Sequence, residues 1–134
     1  MQAALLSVKL QYLNREIARR QEIAQLYTKG IKNEKVQLPC SAELAADQSE
    51  SHVFHLYVVR TEQRDALARH LADNNIQTLI HYPIPPHQQQ AYREWNQSSY
   101  PVSEMLHQQV LSLPMGPTMT NEQVNRVIEV VNSF

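Results

Sequence analysis

His81, Tyr82 and His87 stand close together in the chain, with Pro83, Pro85 and Pro86 between them. Imidazole and phenol side chains donate and accept hydrogen bonds, and imidazole changes charge near neutral pH. Proline has no backbone donor and fixes φ, so residues 80–87 are excluded from helix interiors and central strands. Residues that precede proline are pushed towards extended geometry, and Tyr82–Pro83 is a candidate cis bond. The run is therefore a stiff loop carrying polar rings, a suitable wall for a ligand. As zinc ligands, His81 and His87 would need a third partner. His52, His55, His70 and His107 offer none at a telling spacing, so no metal site is expected. The histidines are left to bind a polar ligand or to satisfy their own loop. Tyr82 has two readings, a phenol lining a pocket or a half-buried ring with its hydroxyl in water.

Other reactive side chains have weaker settings. Cys40 is the single cysteine, so disulfides and cysteine-based zinc sites within the chain are excluded. It follows Pro39 in a polar connection, with no cationic cluster to activate it. Gly30 and Gly116 are the only glycines, so neither a nucleophile elbow nor a glycine-rich phosphate loop can be written. Ser103, Glu104 and His107 share one short helix at spacings common by chance. Arg60 closes a strand and can reach a site, whereas Arg64 and Arg69 read as helix-face charges. The balance of 12 basic and 13 acidic residues, net charge -1, gives no reason to expect nucleic acid or an anionic membrane as partner. No apolar run approaches the roughly 20 residues that span a bilayer. The N-terminus lacks the features of a signal peptide. A cytoplasmic location fits.

The elements that must carry these groups follow from periodicity. Residues 3–29 contain no proline or glycine, and Leu6, Leu10, Leu13, Ile17, Ala24, Tyr27 and Ile31 recur at mostly three- and four-residue spacing. This predicts one helix of about 40 Å with a single apolar seam, stopped at Gly30. It opens without a capping residue, as a helix cut from a longer chain would; a coiled-coil arm is the equal alternative. Residues 33–51 are polar, with Pro39, Ser41, Asp47, Ser49 and Ser51, and a short edge strand at Val36–Leu38. His52–Arg60 is a strand, with Phe54, Leu56 and Val58 on one face and Val53, His55, Tyr57 and Val59 on the other. Thr61 caps a helix that runs to Asn74, with Ala66, Leu67, His70 and Leu71 inward. Gln77–His81 is a second strand feeding the proline loop. A short helix covers 88–95, and another runs from Pro101 to Gln109 with Ser99 near its cap. Val110–Leu113 is a strand. Thr120 and Gln123 form a capping box opening a last helix, with Val124, Val127, Ile128, Val131 and Phe134 on one face. The expected fold is α+β: a small three- or four-stranded sheet with helices mainly on one face, preceded by the long N-terminal helix.

Several separated stretches together resemble one family. They are Gln2–Leu6 with Lys9-Leu10, Thr78–His87, Gln90-Ala91-Tyr92, Ser103-Glu104 and Val110–Pro114. In order and spacing they resemble the C-terminal part of the DegT/DnrJ/EryC1/StrS aminotransferases. The resemblance implies the small domain of a fold type I, pyridoxal-phosphate-dependent transaminase that works as a homodimer on nucleotide-linked keto sugars with an amino donor. It assigns 1–32 to an interdomain helix and 33–134 to the small domain. The large cofactor-binding domain, with its Schiff-base lysine, would lie upstream of this chain. Lys9, Lys29, Lys32 and Lys35 match no catalytic position, and no catalytic or cofactor-binding residue is carried over. The resemblance places His81, Tyr82 and His87 beside the substrate pocket, in positioning roles. On its own this chain is expected to be inactive. A non-catalytic dimerisation or interaction module is the competing expectation.

Overall fold

The computed structural model describes residues 1–40 and 52–134; the polar stretch 41–51 lies outside the described residues. The elements are α1 (Gln2–Leu10), α2 (Leu13–Gly30), β1 (Tyr57–Arg60), α3 (Arg64–Asp73), α4 (Pro101–Gln109), β2 (Val110–Leu113) and α5 (Asn121–Asn132). Two 3₁₀ segments, Pro86–Gln88 and Gln90–Trp95, lie between α3 and α4.

The two strands are antiparallel, with Tyr57 opposite Leu113 and Val59 opposite Leu111. Gln37 bridges Arg60 on one side, and Leu79 bridges Ser112 on the other. The expected three- or four-stranded sheet is thus two strands flanked by single-residue bridges. The strand expected over 52–60 is shortened to Tyr57–Arg60. His52 Nδ1 accepts the Phe54 N–H at 2.9 Å, a local bond that competes with a ladder. Phe54 takes φ 47, a left-handed conformation that costs about 1–3 kcal/mol outside glycine. Burial of the Phe54 ring beside Tyr57 offsets it on the same scale.

The long N-terminal helix is likewise divided. Gln11 N–H bonds Val8 O and Tyr12 N–H bonds Lys9 O, three-residue closures that tighten the turn. Tyr12 sits at φ -103, ψ -4. Every residue of α1 is exposed, so the seam expected at Leu6, Leu10 and Leu13 meets solvent. Burial begins only in the second half of α2, at Ile23, Ala24, Tyr27 and Thr28. α2 ends at Gly30, as expected, with Ile31 extended beyond it, and the glycine also serves packing. A Cβ there would lie 2.8 Å from Ile128 Cδ1, so glycine lets α2 approach α5 closely.

The core joins Tyr57, Val59, Leu111 and Leu113 of the sheet to Leu67 and Leu71 of α3 and Val124, Val127, Val130 and Val131 of α5. Ala66 is exposed, and His70 turns its Nε2 to Val130 O at 3.1 Å. Asn75 takes φ 61 just past α3, the left-handed stop that asparagine tolerates. Thr61 Oγ1 accepts the Gln63 N–H, and the helix starts two residues later than expected, with Gln63 in the cap position. The Thr120–Gln123 capping box is formed on both sides.

Two buried tyrosines tie the layers together. Tyr27 donates to Pro114 O at 2.8 Å. Thr28 Oγ1 donates to Ala24 O at 2.8 Å and lies 2.9 Å from the Tyr57 hydroxyl. Since the Thr28 hydrogen is spent on Ala24, Tyr57 is the donor to Thr28. Burial pushes the Tyr57 phenol up to about 12, opposed by its bond to Thr28 and helped by nearby Cys40. Tyr27 is raised further, by burial and by Tyr57. Both folded values exceed the unfolded one, so the protonated rings contribute stability below about pH 10 that is lost as pH rises through about 12. Tyr57→Phe should cost about 1 kcal/mol at neutral pH and flatten that alkaline loss in urea titrations. An alkaline limb unchanged by combined Tyr27→Phe and Tyr57→Phe would remove the tyrosines as its cause.

Candidate functional site

β2 carries three apolar residues and one hydroxyl, Ser112, which is 4% exposed. Its N–H bonds Leu79 O at 2.8 Å, and its C=O accepts from Leu79 N–H at 3.3 Å. Paired residues face the same side of a sheet, and the residue two positions on lies diagonally across. Two residues beyond Leu79 is His81, and its Nδ1 lies 2.9 Å from Ser112 Oγ. This contact is on the face opposite Leu111 and Leu113. A buried polar group in an apolar strand needs a partner, and His81 supplies it.

Tyr82 follows with its ring edge-on to His81, centroids 5.5 Å apart. It is 66% exposed, so its hydroxyl is free to meet a ligand. The cis peptide is His81–Tyr82, one residue before the bond singled out in the sequence.

His87 is placed differently. It is buried at 4% exposure, with Nε2 3.0 Å from Glu104 Oε1 and its ring edge-on to Tyr100 at 4.9 Å. The same Glu104 oxygen accepts the Tyr100 N–H at 2.8 Å. Glu104 on α4 therefore holds both the end of the proline loop and the entry to its own helix, the second half of which Ser99 was expected to provide. Ser103, Glu104 and His107 do not form a unit: His107 Nδ1–H donates to the backbone O of Ser103 at 2.7 Å, while Glu104 turns to His87.

Arg60 lies elsewhere, in a polar cavity lined by Glu34, Lys35, Glu62 and Gln109. Its Nη2 donates to Gln109 at 3.3 Å and its buried Nε is unpaired. Cys40 is half-buried, 4.0 Å from Thr28 Oγ1. Among the described residues, no three His, Cys, Asp or Glu side chains converge as metal ligands would. Sequence reasoning gave Ser112 no site role, and weighed Glu104 only with Ser103 and His107, setting their spacing down to chance. A hydroxyl inside Val110-Leu111-Ser112-Leu113 was the available signal for the first. Nothing in the spacing of Glu104 from His87 signals the second.

Residues 1–132 match the family model described as the DegT/DnrJ/EryC1/StrS aminotransferase family. The chain is 51% identical over 134 residues to the dTDP-3-amino-3,6-dideoxy-alpha-D-galactopyranose transaminase of Aneurinibacillus thermoaerophilus, covering 100% of this chain and 36% of that protein. It is 39% identical over 137 residues to the dTDP-3-amino-3,4,6-trideoxy-alpha-D-glucose transaminase of Streptomyces venezuelae, covering 100% and 35%. Its fold superposes on the crystal structure of S. venezuelae DesV in complex with a ketimine intermediate, with TM-score 0.89 and 39% identity, over 99% of this chain and 35% of that one. The chain thus spans about a third of the length of the curated relatives it matches.

The Tyr100 N–H holds the Glu104 carboxyl below its ordinary 4.5, with partial desolvation opposing and His87 adding to the effect. A lowered value contributes stability above the ordinary carboxylate pKa that is lost as pH falls through the folded one. Amide exchange over residues 83–104 should therefore accelerate relative to the core as pH falls below the ordinary carboxylate value. Glu104→Gln, which keeps an acceptor but cannot ionise, should flatten that dependence. Equal acid sensitivity in the variant would show that Glu104 does not hold the loop.

Proposed function

The chain belongs to the DegT/DnrJ/EryC1/StrS aminotransferase family, and from this we propose that it is the C-terminal α+β portion of a pyridoxal-phosphate-dependent transaminase. The parent enzyme moves an amino group onto the keto carbon of a nucleotide-linked deoxysugar, in deoxysugar or surface-polysaccharide biosynthesis. The observation that carries this reading is the family match along residues 1–132, joined to relatives about three times the length of this chain.

The residues present do not fit the cofactor. All four lysines are exposed, and Lys35 Nζ is engaged by Phe134 O at 3.0 Å. Gly30 is closed off by Ile128 and Gly116 stands apart, so no glycine cradle for a phosphate exists. The cofactor and its lysine belong to the parent's large domain, and the isolated chain is inactive. On this reading, α1 and α2 form the interdomain helix unit and the rest is the small domain.

What this chain gives the enzyme is one wall of the substrate pocket. His81 offers a ring anchored to β2, and Tyr82 an accessible phenol. His87 serves the wall through Glu104, by fixing the shape of the loop. Their work is positioning, which lowers the barrier by holding the sugar in a reactive geometry. Leu5, Leu6, Val8 and Leu10 are 57 to 68% exposed, an apolar surface of the kind that packs on a partner. The partner is a second copy of the enzyme, in the cytoplasm. Among the described residues, no helix is long and apolar enough to cross a membrane.

In the full-length parent, His81→Ala should raise KM for the nucleotide-sugar about tenfold, equivalent to about 1.4 kcal/mol, with kcat little changed. Borohydride reduction of this chain mixed with pyridoxal phosphate should leave no stoichiometric lysine adduct by mass spectrometry. A full adduct with turnover would overturn the division of labour. Full-length protein that aminates no nucleotide-linked keto sugar would overturn the function and favour the interaction module.

A further inference from the structure

We propose that Ser112 is a positioning residue that fixes the tautomer of His81, so that the ring presents an Nε2–H donor to an oxygen of the bound nucleotide-sugar. This rests on reading His81 as a pocket residue and adds what that pocket accepts.

Ser112 is buried, its backbone groups are both committed to Leu79, and its Oγ lies 2.9 Å from His81 Nδ1. Two arrangements satisfy that distance. In one, Nδ1–H donates to Oγ; the hydroxyl hydrogen then has no acceptor among the described residues and stays buried and unpaired. In the other, the hydroxyl donates to a bare Nδ1 and every group at the contact is satisfied. Burial selects the second. A neutral imidazole with a bare Nδ1 carries its hydrogen on Nε2.

The consequence is chemical selectivity. An Nε2–H takes hydroxyl, ether, carbonyl or phosphate oxygens and offers nothing to an ammonium group. The direction of the ring is set twice, by Ser112 at one edge and by the Tyr82 ring at 5.5 Å. The hydroxyl has no other evident use. Strand pairing at Ser112 runs through its backbone, and a valine or alanine would pair as well.

Long-range ¹⁵N–¹H correlation on the imidazole-labelled chain, at a pH above the ordinary histidine value of about 6.5, reads the tautomer without any substrate. The expected result is a pyridine-type Nδ1 and a pyrrole-type Nε2 at His81. Ser112→Ala should move both towards a mixture, and Ser112→Thr, which keeps a hydroxyl, should restore them. A pyrrole-type Nδ1 in the native chain, or no change in Ser112→Ala, overturns the role of Ser112. In the full-length enzyme, Ser112→Ala should raise KM for the nucleotide-sugar several-fold with kcat nearly constant, and His81→Gln, with an amide donor near the Nε2 position, should bind better than His81→Asn. The expected tautomer with KM unmoved in Ser112→Ala and in His81→Ala overturns the donor role together with the pocket reading. A raised KM in His81→Ala with the opposite tautomer leaves the pocket standing and overturns Ser112 alone.

Discussion

Everything in this fold depends on β2 being paired on both edges. Its odd-numbered residues, Leu111 and Leu113, exchange hydrogen bonds with β1, and Ser112 exchanges them with Leu79. A four-residue strand has few ladder bonds, so each edge fixes the other: one slip in register would exchange Leu111 and Leu113 with Ser112 across the sheet. The apolar residues belong to the helix side, among Leu67, Val124 and Val127. The hydroxyl is then forced to the other face, where His81 waits. Core and candidate site are therefore settled by the same register.

The helix layer secures that register through groups that are buried and fully spent. Tyr57 sits opposite Leu113, and its hydroxyl reaches Thr28 on α2, while Tyr27 reaches Pro114 just past β2. The two rings touch, with centroids 5.1 Å apart. A helix, a strand and the exit of the next strand thus share one polar cluster within an apolar core. Such a cluster strongly favours a single arrangement, because a partly made version leaves buried hydroxyls unpaired. The close approach of Gly30 to Ile128 brings α5 onto the same helix.

Local chemistry was legible in the sequence where it acts alone. Thr120 and Gln123 announce a helix start, Pro101 another, and Asn75 takes the left-handed turn that its side chain permits. Val110–Leu113 has the limits its flanking residues suggest. Illegible features were those decided by competition. The apolar alternation of 52–60 reads as a full strand, yet a bond from Phe54 N–H to the His52 ring and burial of Phe54 win over its first half. The periodicity of α1 and α2 reads as one helix, and nothing in Gln11 or Tyr12 foretells the tight turn between them. In the site, the proline loop was visible from its composition, but which of its two histidines faces inward was not. The partner of the buried His87 is Glu104, a residue on a different element that no sequence spacing links to it.

The two histidines of the loop show how similar side chains acquire different duties. His87 has its Nε2 against a carboxylate and its ring inside, so it is spent on structure. His81 has only its Nδ1 engaged and remains half-exposed, so one ring edge is left for a ligand. The proline run between them makes this division durable. Pro83, Pro85 and Pro86 restrict the backbone between the two anchored histidines. Glu104 holds the loop at His87, and Ser112 holds it from the sheet at His81. A loop held in this way needs no reactive group of its own to serve as the wall proposed above, since donors of fixed direction suffice for positioning.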